Sequence, residues 1–249
     1  SPDVDYGPRS MVLVDQQAAA IAARAELELA ALVAVSSPSG DREGAEEAIA
    51  VTCALLPDGA VTERVRCSSP GHADDLIARV EGNGSKRLLL LGHLDTVIGH
   101  DDLGPVREDG DRLYGPGTID MKGGDVLALG VFRALAGQSE LYREIALLLV
   151  VDEEWRTAPF PHVPPVAGFD ACLSFEAGEL DPEGREAVVV RRKAAATIEI
   201  AAHGRSAHSG ADPDAGRNAL LALAAVAQLL AGLHDPAGPD RLSVVPTIL

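Results

Sequence analysis

Two uninterrupted apolar runs dominate the first two thirds of the chain, LLLL at residues 88–91 and IALLLVV at residues 145–151. Each is too short for a helix and is bounded by polar residues, the pattern of a strand covered on both faces of a parallel sheet. A shorter run, DACLSF at residues 170–175, reads as another strand, as do residues 60–67 and 75–80. Helical spacing marks residues 15–36, ended by SSPSG, and a second helix to about residue 55. Asp41 is the N-cap expected for that second helix, and Glu43, Glu46 and Glu47 suit its positive end. A third helix is expected over residues 121–135, behind a glycine-rich entry. Four prolines at 159, 161, 164 and 165 exclude a regular helix from residues 157–168, and residues 181–184 read as a turn. From residue 187 the period changes to two, in VVVRR and AATIEIAAHG, as in a half-exposed antiparallel sheet. A helix over residues 214–233, with Asp214 as its cap, and a strand from residue 241 complete the pattern. The expected fold is α/β: a mostly parallel mixed sheet flanked by helices, plus the start of a smaller α+β domain. Residues 1–14 read as a flexible arm, 15–187 as the first domain and 188–249 as an incomplete second domain.

Composition narrows the class. Apolar residues make up 47% of the chain and support a real core, although aromatics are only 3%. A formal net charge of −17 argues against nucleic acid and against anionic membrane surfaces as partners. Three scattered cysteines with no CxxC indicate neither a disulfide framework nor a thiolate zinc site. With no apolar leader and no run of transmembrane length, the expected location is cytoplasmic.

The chemistry sits where the apolar runs stop. The first run delivers His93 and Asp95, two residues apart and on one face of an extended strand. The second ends in Asp152, Glu153 and Glu154, and the third in Glu176. Between the first two lies GPGTIDMKGG, residues 115–124, which carries Asp120 just before a helical pattern. In open α/β sheets, ligands bind beyond the carboxyl ends of the strands. Each acidic residue alone reads as a solvated strand end. Several carboxylates and a histidine gathered there would repel one another unless cations sit among them. The glycine loop lacks the GxxxxGK[ST] spacing of a phosphate loop. His100, in an acidic loop, reads as solvent-facing, and His162 is a ligand candidate that no spacing supports.

GHLDTV, GPGTIDMKGG, DEE, SFEAGE and GRSAHSG occur together and in order. In this the chain resembles the dinuclear-zinc exopeptidases and deacylases, which include glutamate carboxypeptidases, acetylornithine deacetylases, succinyl-diaminopimelate desuccinylases and aminoacylases. The bacterial glutamate carboxypeptidase branch is the most similar. The resemblance implies two Zn2+ ions, with Co2+ or Mn2+ as alternatives. It assigns His93, Asp120 and Glu176 to one ion and Asp120 and Glu154 to the other. Asp95 would orient the His93 ring. Glu153 would be the general base acting on water between the zinc ions, and His208, from a lid domain, would stabilise the oxyanion. It also implies a cis peptide between Asp120 and Met121. Arg205 and Asn218 are candidates for gripping the substrate, beside their plainer readings as a solvated arginine and a helix asparagine. The expected substrate is a small peptide or N-acyl amino acid, and the expected assembly a homodimer through the lid. Family members continue past the equivalent of residue 249 and supply a last zinc-binding histidine, so the chain reads as an N-terminal portion. The lid entry, Arg192-Lys193-Ala194, departs from the family's arginine-lysine-glycine. The alternative is an inactive relative of the same fold that serves as a binding or assembly protein. The intact motif residues weigh against it.

Overall fold

Residues 8–104, 106–190, 192 and 195–247 are described by this computed structural model. In chain order the helices are α1 (Pro8–Val33), α2 (Arg42–Leu55), α3 (His100–Leu103), α4 (Lys122–Ala136) and α5 (Ala219–Ala231). The strands are β1 (Val61–Val65), β2 (Asp75–Glu81), β3 (Arg87–His93), β4 (Arg107–Asp109), β5 (Arg112–Tyr114), β6 (Glu144–Val150), β7 (Ala171–Ser174), β8 (Glu179–Leu180) and β9 (Glu186–Ala187). The chain divides into two compact units, Ser1–Val189 and Val190–Leu249.

The apolar runs become the middle of a five-stranded mixed sheet in the first unit, in the order β1-β2-β6-β3-β7. β3 runs parallel to both β6 and β7, while β2 is antiparallel to β6 and to β1. Alternation along β6 divides the core. Ile145, Leu147 and Leu149 join Leu32, Ile49, Leu129 and Phe132 in the cluster that takes in residues of α1, α2 and α4. Ala146, Leu148 and Val150 face the other way, with Ile77 and Leu89, and are packed by Phe160, Val166 and Phe169. That second layer comes from the proline-rich segment, which forms turns and irregular backbone rather than a helix.

Asp41 caps α2 as expected, its Oδ1 accepting the N–H groups of Glu43 and Gly44, both at 3.1 Å. Several expectations are corrected. The arm expected to run to residue 14 is helical from Pro8, and residues 1–7 lie outside the described residues. Val12 and Val14 of that helix are exposed, so its first turns carry no amphipathic signal. The acidic loop from residue 100 holds α3 and the β4–β5 hairpin, and His100 is tied down, its Nε2 lying 2.7 Å from the Val33 carbonyl.

In the second unit the alternating run at residues 195–203 forms no strand among the described residues. Alternation predicts a strand only where a partner backbone completes the ladder, and Ile198 and Ile200 stay exposed. Arg191, Lys193 and Ala194, within the expected first strand and lid entry, are outside the described residues. The expected last strand is reduced to a bridge between Asp235 and Leu242, with residues 248–249 also outside the description. The helix expected from Asp214 begins at Ala219, after a short 3-10 turn at Pro213–Ala215.

Candidate metal centre

His93 is the last residue of β3 and pairs with Val150 of β6. By alternation it shares a face with Leu89 and Leu91, away from the helices. Its ring is buried, and both nitrogens are engaged. Nδ1 lies 2.9 Å from the Asp95 backbone oxygen and 3.4 Å from Asp95 Oδ1. Nε2 points at Asp120 Oδ1, 3.1 Å away, with Glu176 Oε1 at 3.9 Å.

The Asp95 carboxylate has a second task that the sequence did not suggest. Its Oδ1 accepts the backbone N–H of Glu153 at 3.1 Å, and its Oδ2 that of Glu154 at 3.0 Å. One buried residue thus positions the imidazole at the end of β3, chiefly through its backbone oxygen, and the paired glutamates beyond β6 through its carboxylate. Those hydrogen bonds replace the strand ladder, which frees Glu153 and Glu154 from strict alternation.

Asp120 precedes α4, and its peptide bond to Met121 is cis. Two contacts anchor the start of this helix. Lys122 is fully buried and donates from Nζ to the carbonyls of Leu32 at 3.1 Å and Val35 at 2.7 Å. Leu32 lies in the last turn of α1 and Val35 two residues beyond its end, so the ammonium fastens the C-terminus of α1 to the start of α4. Gly124 lies against the end of β7, where an added Cβ would stand 1.8 Å from the Phe175 carbonyl oxygen. Only a bare Cα permits this approach, and Glu176 is the next residue.

The electrostatics favour positive charge at this point. Burial opposes protonation of His93, but the Asp95 hydrogen bond and charge, together with the charge of Asp125, push it up to about 10. Burial, followed by the charge of Asp120, pushes the Glu154 carboxyl up. Glu154 Oε1 is buried without a hydrogen-bond partner among the described residues. Asp125, which the sequence reading did not single out, is fully buried with both carboxylate oxygens in the same condition, and burial drives its carboxyl well above the usual range.

Ligand atoms of His93, Asp120 and Glu176 all lie within 4.8 Å of one another, as do those of His93, Glu153 and Glu154. An imidazole nitrogen with carboxylate oxygens is a donor set that suits zinc. The unpartnered Glu154 oxygen is a group whose desolvation a cation would offset. These residues therefore fit a metal centre. A cleft of about 300 Å3 opens beside them, lined by Leu91, Gly92, His93, Val150, Glu153, Arg156, Phe160, Ser174 and Glu176. A larger depression of about 500 Å3, at Glu81, Gly82, Arg87, Arg143 and Glu144, lies at the other end of the strands and holds no histidine.

The remaining candidates are not members of either ligand group. His162 is buried against Asp75, its Nε2 2.6 Å from Oδ2, and is absent from both ligand groups. His208, Arg205 and Asn218 belong to the second unit. His208 Nδ1 accepts the N–H groups of Gly210 and Ala211, both at 3.1 Å. Arg205 Nε donates to the Ala215 carbonyl at 2.5 Å, and Asn218 caps α5 by accepting the Leu221 N–H at 3.1 Å. Arg156, in the cleft wall, was not anticipated. A basic residue two positions beyond the paired glutamates is the signal that could have found it.

Comparison with known proteins agrees with this architecture. Carboxypeptidase G2 of Pseudomonas sp. (strain RS-16) is 31% identical over 196 residues, covering 76% of this chain and 46% of that protein. A putative succinyl-diaminopimelate desuccinylase of Mycobacterium tuberculosis (strain ATCC 25618 / H37Rv) is 37% identical over 110 residues, 44% of this chain and 29% of that protein. The chain thus spans less than half the length of either relative. Among solved structures, a tripeptidase of Staphylococcus aureus subsp. aureus Mu50 shares the fold, with a TM-score of 0.52 at 18% identity over 83% of this chain and 55% of that one. The family model for peptidase family M20/M25/M40 matches residues 89–240, more than half of the chain and the stretch that carries every ligand candidate. The chain belongs to the M20/M25/M40 peptidase family.

Proposed function

We propose that this chain carries the metal centre of a hydrolase that cleaves an amide bond in a small peptide or an N-acyl amino acid. The observation that carries the reading is the convergence of His93 Nε2, Asp120 Oδ1 and Glu176 Oε1 from three separate strand ends and loops. In this reading His93, Asp120 and Glu176 hold one divalent ion and Asp120 and Glu154 a second, with zinc the first choice and cobalt or manganese the alternatives. When bound, such a pair acidifies water and polarises the amide carbonyl.

The chain's own residues divide the remaining work. Glu153 is exposed to the cleft, while the half-buried Glu154 keeps an oxygen without a partner among the described residues. That asymmetry suits Glu153 to take the proton from water and pass it to the leaving amine. It suits Glu154 to remain a ligand. Asp95 fixes both glutamate backbones and the imidazole, so proton carrier and ligands keep one geometry. His208 is proposed as the donor to the oxyanion, and Arg205 and Asn218 as lesser contacts to substrate. Supply of His208 by a partner chain in a homodimer is part of the same proposal.

The test is metal analysis of the purified chain together with hydrolysis of a panel of dipeptides and N-acyl amino acids, before and after chelation. Turnover that chelation removes and zinc or cobalt restores is the expected result. Metal binding with no turnover on any panel member, in a dimer as well as a monomer, would favour the non-catalytic relative.

A further inference from the structure

We propose that the depression at the far end of the strands from the metal centre binds a free α-amino acid as its zwitterion. This is a second site, and it does not depend on the hydrolytic reading of the first. The depression encloses about 500 Å3 and is lined by Glu81, Gly82, Arg87, Arg143 and Glu144. That volume lies within the ordinary span for small-molecule sites, roughly 300–1,000 Å3.

The frame of the depression is fixed by backbone. The turn after β2 is joined to the segment before β6 by three hydrogen bonds. The Gly82 N–H donates to the Arg143 carbonyl at 2.9 Å, that of Asn83 to Ser139 at 2.7 Å and that of Gly84 to Tyr142 at 2.7 Å. The Arg143 N–H donates in turn to the Lys86 carbonyl at 2.7 Å. Glycine is required at position 82, because an added Cβ would collide with the carbonyl oxygens of Ser139 and Tyr142. Arg87 is equally constrained. Its Nε donates to Glu144 Oε2 at 2.8 Å, and its guanidinium carbon sits over the Phe169 ring, 4.2 Å from the centroid. Glu144 Oε1 accepts from Arg79 Nη1 at 2.5 Å, so both oxygens of that carboxylate are engaged.

Two charges in the lining are left over by the fold. Glu81 and Arg143 are exposed, and among the described residues neither has an ion-pair partner, although they line one depression. Glu81 stands directly opposite Glu144 across β2 and β6. Like charges in that position repel, and the two arginines that offset Glu144 leave Glu81 unanswered. A simple anion drawn to Arg143 and to the Nη groups of Arg87 meets Glu81 and a chain of formal charge −17. A simple cation drawn to Glu81 meets two guanidinium groups. A ligand that carries an ammonium and a carboxylate on one carbon satisfies both sides. Its ammonium donates to Glu81, its carboxylate accepts from the guanidinium edges, and its net charge is zero.

The test is an amide NMR titration of the 15N-labelled protein with L-alanine, propionate and ethylammonium. Propionate lacks only the ammonium of alanine, and ethylammonium lacks only its carboxylate. Alanine should produce saturable shifts at residues 81–84 and 142–144. It should bind about tenfold or more tightly than either analogue, the scale of one charge-assisted hydrogen bond. Glu81→Gln should weaken alanine about tenfold or more without weakening propionate, and Arg143→Gln should weaken alanine similarly without weakening ethylammonium. These opposite selectivities separate lost contacts from general damage, and the comparison of the three probes on the parent protein needs no variant. A dissociation constant for alanine above about 10 mM overturns the proposal. So do equal affinities for the three probes, and alanine affinity unchanged in both variants. Shifts confined to residues around His93 and Glu153 also overturn it, because they would place alanine at the metal centre.

Discussion

Asp95 accepts the backbone N–H of Glu154 at 3.0 Å, so a residue after β3 sets the position of a residue after β6. The partner oxygen does the same for Glu153. Asp95→Asn keeps the size of the side chain but replaces one acceptor with an NH2 group facing an N–H. We expect metal affinity to fall about tenfold to hundredfold, the usual cost of losing a group that orients ligands. Competition with a fluorescent zinc chelator measures it. Unchanged affinity would mean that the backbone of the paired glutamates is held by other means.

Glu153→Gln should lower kcat by about 10²- to 10⁴-fold, the range for a lost general base. The amide cannot take a proton, but the backbone N–H to Asp95 remains. Metal content by atomic emission should therefore stay at the level of the parent chain. Loss of metal from a folded variant would mean that Glu153 and Glu154 exchange their proposed roles, a possibility raised by the closeness of both to His93.

His162 pins the proline-rich segment to β2. Its Nε2 meets Asp75 Oδ2 at 2.6 Å, while Asp75 Oδ1 accepts the Val151 N–H at 2.9 Å. His162→Ala leaves a fully buried carboxylate oxygen without its partner and should cost about 3 kcal/mol. Urea unfolding at pH 7 measures the change. A loss below about 0.5 kcal/mol, the scale of a typical surface substitution, would show that the pair is not a fastening point.

Glu144 links three strands, meeting Arg79 of β2 and Arg87 of β3 at 2.5 and 2.8 Å. Burial alone would raise its carboxyl, but the hydrogen bonds from Arg87 and Arg79 hold it below the ordinary 4.5. Below pH 4.5 the unfolded chain therefore binds more protons at this site than the folded one. The contribution is complete above that pH and is lost as pH falls through the folded value. Glu144→Gln should cost about 2 kcal/mol at pH 7 and flatten the acid limb of the stability curve. Urea midpoints at pH 7, 4.5 and 3.5 check it. Parallel loss in both proteins would place the acid sensitivity elsewhere.

The central strands were legible because residues 145–151 are buried on both faces and residues 88–91 are buried or half-buried, and such burial leaves an unbroken apolar run. His93 and Glu176 were legible for a related reason: each breaks an apolar run where that run ends. What Asp95 accepts was not legible, since a carboxylate's partners depend on which backbone the fold brings near. Lys122 looked like part of a glycine-rich entry, yet its work is to close the end of α1 across a gap of 90 residues. His162 and Asn218 show the same limit. Their residue types allow a ligand role, and only the neighbours Asp75 and Leu221 show what each side chain touches. At residues 195–203 the periodicity was real, but no ladder formed among the described residues.

The pairing of His93 with Val150 has a consequence for how the chain reaches its native state. Side chains alternate along a strand, so a slip of β3 by one residue would turn the imidazole towards the helices and offer Gly92 or Leu94 to the carboxylates. A misaligned sheet could still bury most of its leucines, because the run at residues 88–91 is uniform and barely distinguishes one register from the next. The ligand cluster does distinguish them. A cation that binds only the aligned form stabilises that form by mass action. Zinc present during refolding would then act as a proofreader of strand register, and a higher yield of aligned chains would be its signature.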